Sequence, residues 1–107
     1  MGLTDHERQV LARVATELKA EFRAERVILF GSAARGDMDP ESDIDLMIVL
    51  PSVNWDTEKR IGNMAFDAGL EIGRLISTIC FAASELVARP LRASPFVHSV
   101  RREGMVL

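Results

Sequence analysis

The sequence has a single cysteine, Cys80, so no intramolecular disulfide can form. Nothing ahead of the first helix combines a basic start, an apolar core and a small-residue cleavage site. Both absences point to a reducing cytoplasm as the compartment. No apolar run is long enough to span a membrane, and the longest, near Leu46 to Pro51, has the length of a strand. Positive charge is also scarce. The 13 Lys and Arg against 16 Asp and Glu leave a formal net charge of −3. That balance argues against extended, sequence-independent binding to DNA or RNA, which depends on many cations neutralising phosphates. It leaves room for one bound nucleotide whose charge is met by metal.

What remains is ordinary for a globular domain: 107 residues, 48% hydrophobic and 27% charged. This length is one domain's worth, residues 1–107, with a modest core and no separate substrate-recognition domain. The determinants of any second substrate are therefore expected on another chain.

Thr4 followed by Glu7 reads as a capping box, and Leu11, Val14, Leu18 and Phe22 then recur at helical spacing, predicting an amphipathic helix over 4–23. Arg26 to Phe30 (RVILF) is a strand stopped by Gly31. A polar loop from Gly31 to Ser42 leads into a second strand, Asp43 to Leu50 (DIDLMIVL), closed by Pro51. Ile61, Met64, Ala65, Ala68 and Ile72 restore helical spacing up to Gly73, with Trp55 expected to pack at the helix start. Leu75 to Ala82 (LISTICFA) is a third strand, and Ser84 to Arg89 has room only for a helical turn before Pro90. A final helix opens with Ser94 as cap and Pro95 as first residue, and Met105 to Leu107 is left as a candidate edge strand.

The chemistry concentrates between the first two strands. Asp43 and Asp45 stand at i and i+2 of a strand, so their carboxylates share one face and can converge on one hard cation. Mg2+ takes oxygen ligands and is commonly held by one or two carboxylates plus substrate phosphates. The Gly31-Ser32 turn suits the phosphates, because glycine admits close backbone approach and a serine hydroxyl with exposed N–H groups can hold phosphate oxygens. Arg35 adds a forked cationic donor nearby. Taken singly, each feature is bland: a Gly-Ser is in most proteins a turn, and Asp-x-Asp a solvated strand start. Taken jointly, seven specified positions at roughly one chance in fifteen each are not an accident of composition.

The stretch GSAARGDMDPESDIDLMIVL, Gly31 to Leu50, resembles the signature of the nucleotidyltransferases of the DNA polymerase beta superfamily: Gly-Ser, then Arg-Gly, then Ser-Asp-x-Asp-Leu on the next strand. The small size and early motif look most like its minimal nucleotidyltransferase (MNT) group, whose members often neighbour a HEPN-domain partner in toxin–antitoxin pairs. The resemblance implies that Gly31 and Ser32 contact the triphosphate of ATP or another NTP, and that Arg35 assists. It also implies that Asp43 and Asp45 bind Mg2+ as the catalytic pair and that Ser42 caps or braces their strand.

The pattern departs from active members at one place. They carry a third carboxylate near the start of a later strand, where this sequence has Ser77 with Thr78 beside it. Neither hydroxyl is ionised near neutral pH, so neither replaces a carboxylate on the metal or serves as an effective general base. Glu71, at a helix end, reads as solvated; His6 and His98 lack metal-spaced companions; Cys80 reads as a buried small hydrophobe; Arg101 and Arg102 complement a helix C-terminus.

The expected fold is therefore a small α/β (α+β) domain, a mixed sheet with helices mainly on one face. So short a chain leaves an edge or face bare for a partner or a second copy. Two functions follow from the resemblance. The first is an enzyme transferring a nucleoside monophosphate, AMP from ATP, to a hydroxyl of a protein or small molecule. The second is a catalytically weak or inactive nucleotide- and metal-binding partner of a HEPN protein.

Overall fold

Thr4 opens the fold as its sequence predicts. Its hydroxyl accepts the Glu7 N–H at 3.1 Å, and the Glu7 carboxylate accepts the Thr4 N–H at 2.8 Å. Helix α1 then runs Asp5–Phe22 and ends at Arg23 in the left-handed region. Its buried stripe, Val10, Leu11, Val14 and Leu18, follows the helical period. The remaining elements of this computed structural model are β1 (Arg26–Phe30), α2 (Ser32–Arg35), β2 (Ile44–Leu50), α3 (Trp55–Ile72), β3 (Ile76–Ala82), α4 (Ala83–Val87), α5 (Pro95–Glu103) and β4 (Met105–Val106). The structure describes residues 2–36, 42–87 and 95–107, apart from the side chains of Arg35, Val87, Phe96, His98 and Arg101. The expected Ser94 cap, and Arg89 at the end of the helical turn, lie outside the described residues.

The sheet has the order β3-β2-β1-β4. β1 pairs antiparallel with β2 and with β4, while β2 and β3 run parallel. A parallel pair needs a crossover, and α3 supplies it. The short C-terminal strand expected at Met105 is present and pairs with β1 at Ile28 and Leu29.

Alternation along the strands builds two cores. Val27, Leu29, Ile44, Leu46, Ile48, Leu50 and Ile76 face α1 and α3 and form the larger one. Ile28, Met47 and Val49 point the other way and meet Leu86 of α4 with Val97 and Val100 of α5. The two long helices thus lie on one face, as expected, and two short ones cover part of the other. The second face carries Asp45 and Ser77 on either side of one rung of the ladder, and Asp45 opposite Phe30 on the next strand.

Two details differ from the sequence reading. The loop after Gly31 is not irregular throughout, because Ser32 to Arg35 close a turn of helix, with the Gly36 N–H bonded to the Ser32 carbonyl. Trp55 does not pack at the start of α3: it is 73% exposed, with the Lys59 ammonium 5.0 Å from its ring centroid. Asn54 caps the helix through its side chain, accepting the Thr57 N–H at 2.9 Å, so no apolar contact from Trp55 is required.

Candidate nucleotide and metal site

The site is built on the turn between β1 and α2 and on the first residues of β2. Gly31 has φ +74 and ψ −152, a backbone region closed to side-chain-bearing residues. A Cβ added there would stand 2.7 Å from Asp45 Oδ2. Only glycine lets the turn and the carboxylate occupy the same corner, so the glycine that the motif specifies is required twice, by dihedral and by space.

Asp43 is exposed just ahead of β2, and Asp45 is partly buried on it. Their charges couple. The Asp45 carboxyl is pushed above its ordinary value first by burial and second by the Asp43 charge. A carboxyl raised in the fold favours its protonated form there. Its contribution to stability is therefore full below the ordinary 3.8 and is lost as pH rises through the raised value. At neutral pH the ionised pair is a cost that a bound cation would relieve. Asp45→Asn should accordingly raise the melting temperature of the metal-free protein, by up to about 1 kcal/mol of stability after solvent screening. Calorimetry with and without Mg2+ checks this, and the variant should also lose the Mg2+-dependent part of the shift.

Ser77 occupies the β3 position in register with Asp45, and Thr78 is in register with Leu46. Phe30, Asp45, Ser77, Thr78 and Ile79 line an open hollow of about 330 Å³. Among the described residues no cluster of three His, Cys, Asp or Glu side chains is placed to hold a metal. Glu71 does not reach Asp43 and Asp45: it pairs with Arg13 across the exposed faces of α3 and α1. Ser32 opens α2 beside Gly31, while the Arg35 side chain lies outside the described residues. Ser42 sits immediately before Asp43 and contributes its backbone carbonyl to a contact with Arg74.

The other candidates are placed as surface or core. His6 is exposed in the first turn of α1, and the His98 and Arg101 side chains lie outside the described residues. Arg102 is exposed, 3.6 Å from Glu103. Cys80 is half-buried against the larger core, and burial, then the Glu58 charge, pushes its thiol up to about 11, so it stays protonated at neutral pH. Sequence reasoning missed Phe30 and Ile79, which read as plain strand residues yet line the hollow beside Asp45. It also missed Glu7 and Arg74, which form a nearly buried ion pair.

Gly-Ser turn, paired aspartates on the adjoining strand and a mixed sheet crossed over by α3 together define a nucleotidyltransferase fold. The family described as "Nucleotidyltransferase domain" matches residues 11–95. The chain belongs to this family. A relative from Methanocaldococcus jannaschii, whose name carries a provisional protein adenylyltransferase assignment, is 34% identical over 104 residues, covering 95% of this chain and 98% of its own. Among solved structures, a toxin–antitoxin protein crystallised with AMP-PNP shares the fold with a TM-score of 0.63 at 15% identity, over 96% of this chain and 72% of that one. A protein provisionally assigned as a minimal nucleotidyltransferase does so with a TM-score of 0.60 at 24% identity, over 94% and 95%. No helix among the described residues is long and apolar enough to cross a membrane.

Proposed function

We propose that this chain holds a nucleoside triphosphate and Mg2+ at the Gly31–Asp45 corner and transfers the nucleoside monophosphate, AMP from ATP, to a hydroxyl on another molecule. The observation that carries the reading is that corner itself: a glycine whose missing Cβ makes room for Asp45, whose carboxyl is pushed up by burial and then by the charge of Asp43. Two like charges held together with an open hollow alongside are what a divalent cation and a phosphate chain would neutralise and fill.

Asp43 and Asp45 would hold the ion, and Gly31 and Ser32 would approach the phosphates with backbone N–H groups and a hydroxyl. Arg35 would add a cationic donor to the same oxygens. When bound, Mg2+ would neutralise charge on the phosphates and on the departing pyrophosphate. The acceptor oxygen forms a bond to the α-phosphorus as the bond between that phosphorus and the bridging oxygen to the β-phosphate breaks. The acceptor's proton is released to solvent, and pyrophosphate leaves. The rest of the acceptor lies on another chain, in keeping with the toxin–antitoxin assembly of a structural neighbour. A HEPN-domain protein is the partner class that the MNT resemblance suggests, and a second copy of the chain is the alternative docking partner.

One observation favours a second reading. Ser77 stands in register with Asp45 where active relatives are expected to carry a carboxylate, so the chain would bind Mg2+–nucleotide as an antitoxin-type module with little turnover. Incubation with α-labelled ATP and Mg2+, with and without the protein encoded beside it, separates the two. Label on protein that disappears in Asp43→Ala/Asp45→Ala establishes the transferase; metal-dependent binding without label establishes the binding module.

A further inference from the structure

The geometry points to Arg74 as a positioning residue for the Asp43 carboxylate, held in place by Glu7; the inference rests on the nucleotide–metal reading of the site. Arg74 follows the C-terminal turn of α3, where Gly73 is left-handed and the Arg74 N–H bonds the Gly69 carbonyl at 3.0 Å. A Cβ on Gly69 would collide with the Arg74 carbonyl oxygen, so this tight return depends on glycine. The return brings the guanidinium back beneath the start of β2. There its Nε donates to Glu7 Oε2, and its terminal nitrogen donates to the Ser42 carbonyl at 2.9 Å.

The consequence falls on Asp43. Ser42 is tied to Arg74 on one side, and the Ile44 N–H is tied to the Leu75 carbonyl at 2.9 Å on the other. The backbone of Asp43 is thus pinned from both flanks by two consecutive residues, 74 and 75, although its own side chain is exposed and it precedes the ladder. Asp45 needs no such tie, being inside the ladder between Phe30 and Ser77.

Glu7 fixes the other end. Its side chain is 8% exposed and that of Arg74 is 12%. Its two carboxylate oxygens are divided between the Thr4 N–H and Arg74. Burial pushes the Glu7 carboxyl up, but the Thr4 N–H and Arg74 outweigh it, and the net displacement is downward, so the ionised acid is the form the fold holds. Arginine suits the place because its planar fork holds Nε and a terminal nitrogen apart in fixed directions, one toward the carboxylate and one toward the carbonyl, whereas a lysine offers all its donors from a single point. A nearby pair serves as an internal comparison. Arg13–Glu71 joins α1 to α3 across their exposed faces and makes no contact with residues 42–44 among the described interactions.

The test is a titration of manganese(II) in the presence of a non-hydrolysable ATP analogue, followed by the paramagnetic signal of the free ion. It uses the full chain at a temperature well below every variant's melting point. Arg74→Lys keeps a cation for Glu7 but loses the fork, and Arg74→Met removes both contacts. Each should weaken manganese affinity by about 10–100-fold, while affinity for the analogue at saturating manganese stays within about twofold of wild type, far inside that range. Arg13→Met should leave manganese affinity unchanged. If Arg74→Met fails to fold, Arg74→Lys carries the comparison. Unchanged manganese affinity in a folded Arg74 variant, with wild type binding normally, overturns the positioning role alone. A wild-type protein that binds no manganese with the analogue overturns the nucleotide–metal reading and this inference with it.

Discussion

Ser77→Asp should raise the rate of nucleotidyl transfer by about 10²–10⁴-fold, the range a positioned carboxylate base contributes. The reason is register. Position 77 pairs with Asp45 across the parallel β2–β3 ladder, so its side chain shares the face on which Asp45 stands. It opens into the hollow lined by Phe30 and Ile79. A carboxylate there would complete a third metal-facing acid and could accept the acceptor hydroxyl's proton. Without metal the third negative charge should lower stability, since Asp45 already feels Asp43. With Mg2+ the variant should therefore show a larger thermal shift than wild type. Single-turnover transfer from labelled ATP measures the rate, and the gain should vanish in Asp43→Ala/Asp45→Ala. A variant that binds Mg2+ and nucleotide more tightly yet transfers no faster would show that position 77 is not where the chemistry is limited.

Gly31→Ala should act in the opposite sense and on two quantities at once. The alanine would sit at φ +74 and ψ −152, a conformation that costs about 1–3 kcal/mol for a residue with a Cβ. That corresponds to a fall of roughly 4–8 °C in melting temperature per kcal/mol for a domain of this size. The methyl group would also press on Asp45 Oδ2 from 2.7 Å, so either the turn or the carboxylate must move. A displacement near 1 Å at a reacting centre costs about 10²-fold in rate. The expected result is a destabilised but folded protein whose Mg2+–nucleotide affinity and transfer both collapse. Thermal melts paired with binding isotherms separate the two effects. A variant that loses stability but binds Mg2+–ATP as wild type does would show that Gly31 serves the turn alone.

The part of the site readable from sequence was the part that is local. Gly31, Ser32, Asp43 and Asp45 lie within one strand–turn–strand unit, and the two-residue period of a strand already implies that the aspartates share a side. The resemblance put Ser77 of LISTICFA where active relatives carry a third carboxylate, but its register opposite Asp45 came only with the strand pairing. The capping box at Thr4 and Glu7 formed as written. Its glutamate, however, has a second partner 67 residues away, and no local pattern joins Glu7 to Arg74. The helix over Ser32 to Arg35 was hidden because four residues carry no period. The partial cover of the second face by α4 and α5 was hidden for a related reason: their buried contacts, Leu86, Val97 and Val100, are few and spread over two short segments. Trp55 was misread by its size. An aromatic at a helix start is usually packed, but here Asn54 had already satisfied the helix end.

Both the proposed transfer and the role of Arg74 require metal-dependent nucleotide binding at the Gly31–Asp45 corner. Equilibrium binding of ATP to the full chain, with Mg2+ and with chelator, beside Asp43→Ala/Asp45→Ala, measures it. The predicted result is binding that requires Mg2+ and falls by about 10²-fold in the double variant, the upper end of what loss of metal ligation is expected to cost. Equal binding by wild type and double variant, or binding indifferent to Mg2+, would contradict it.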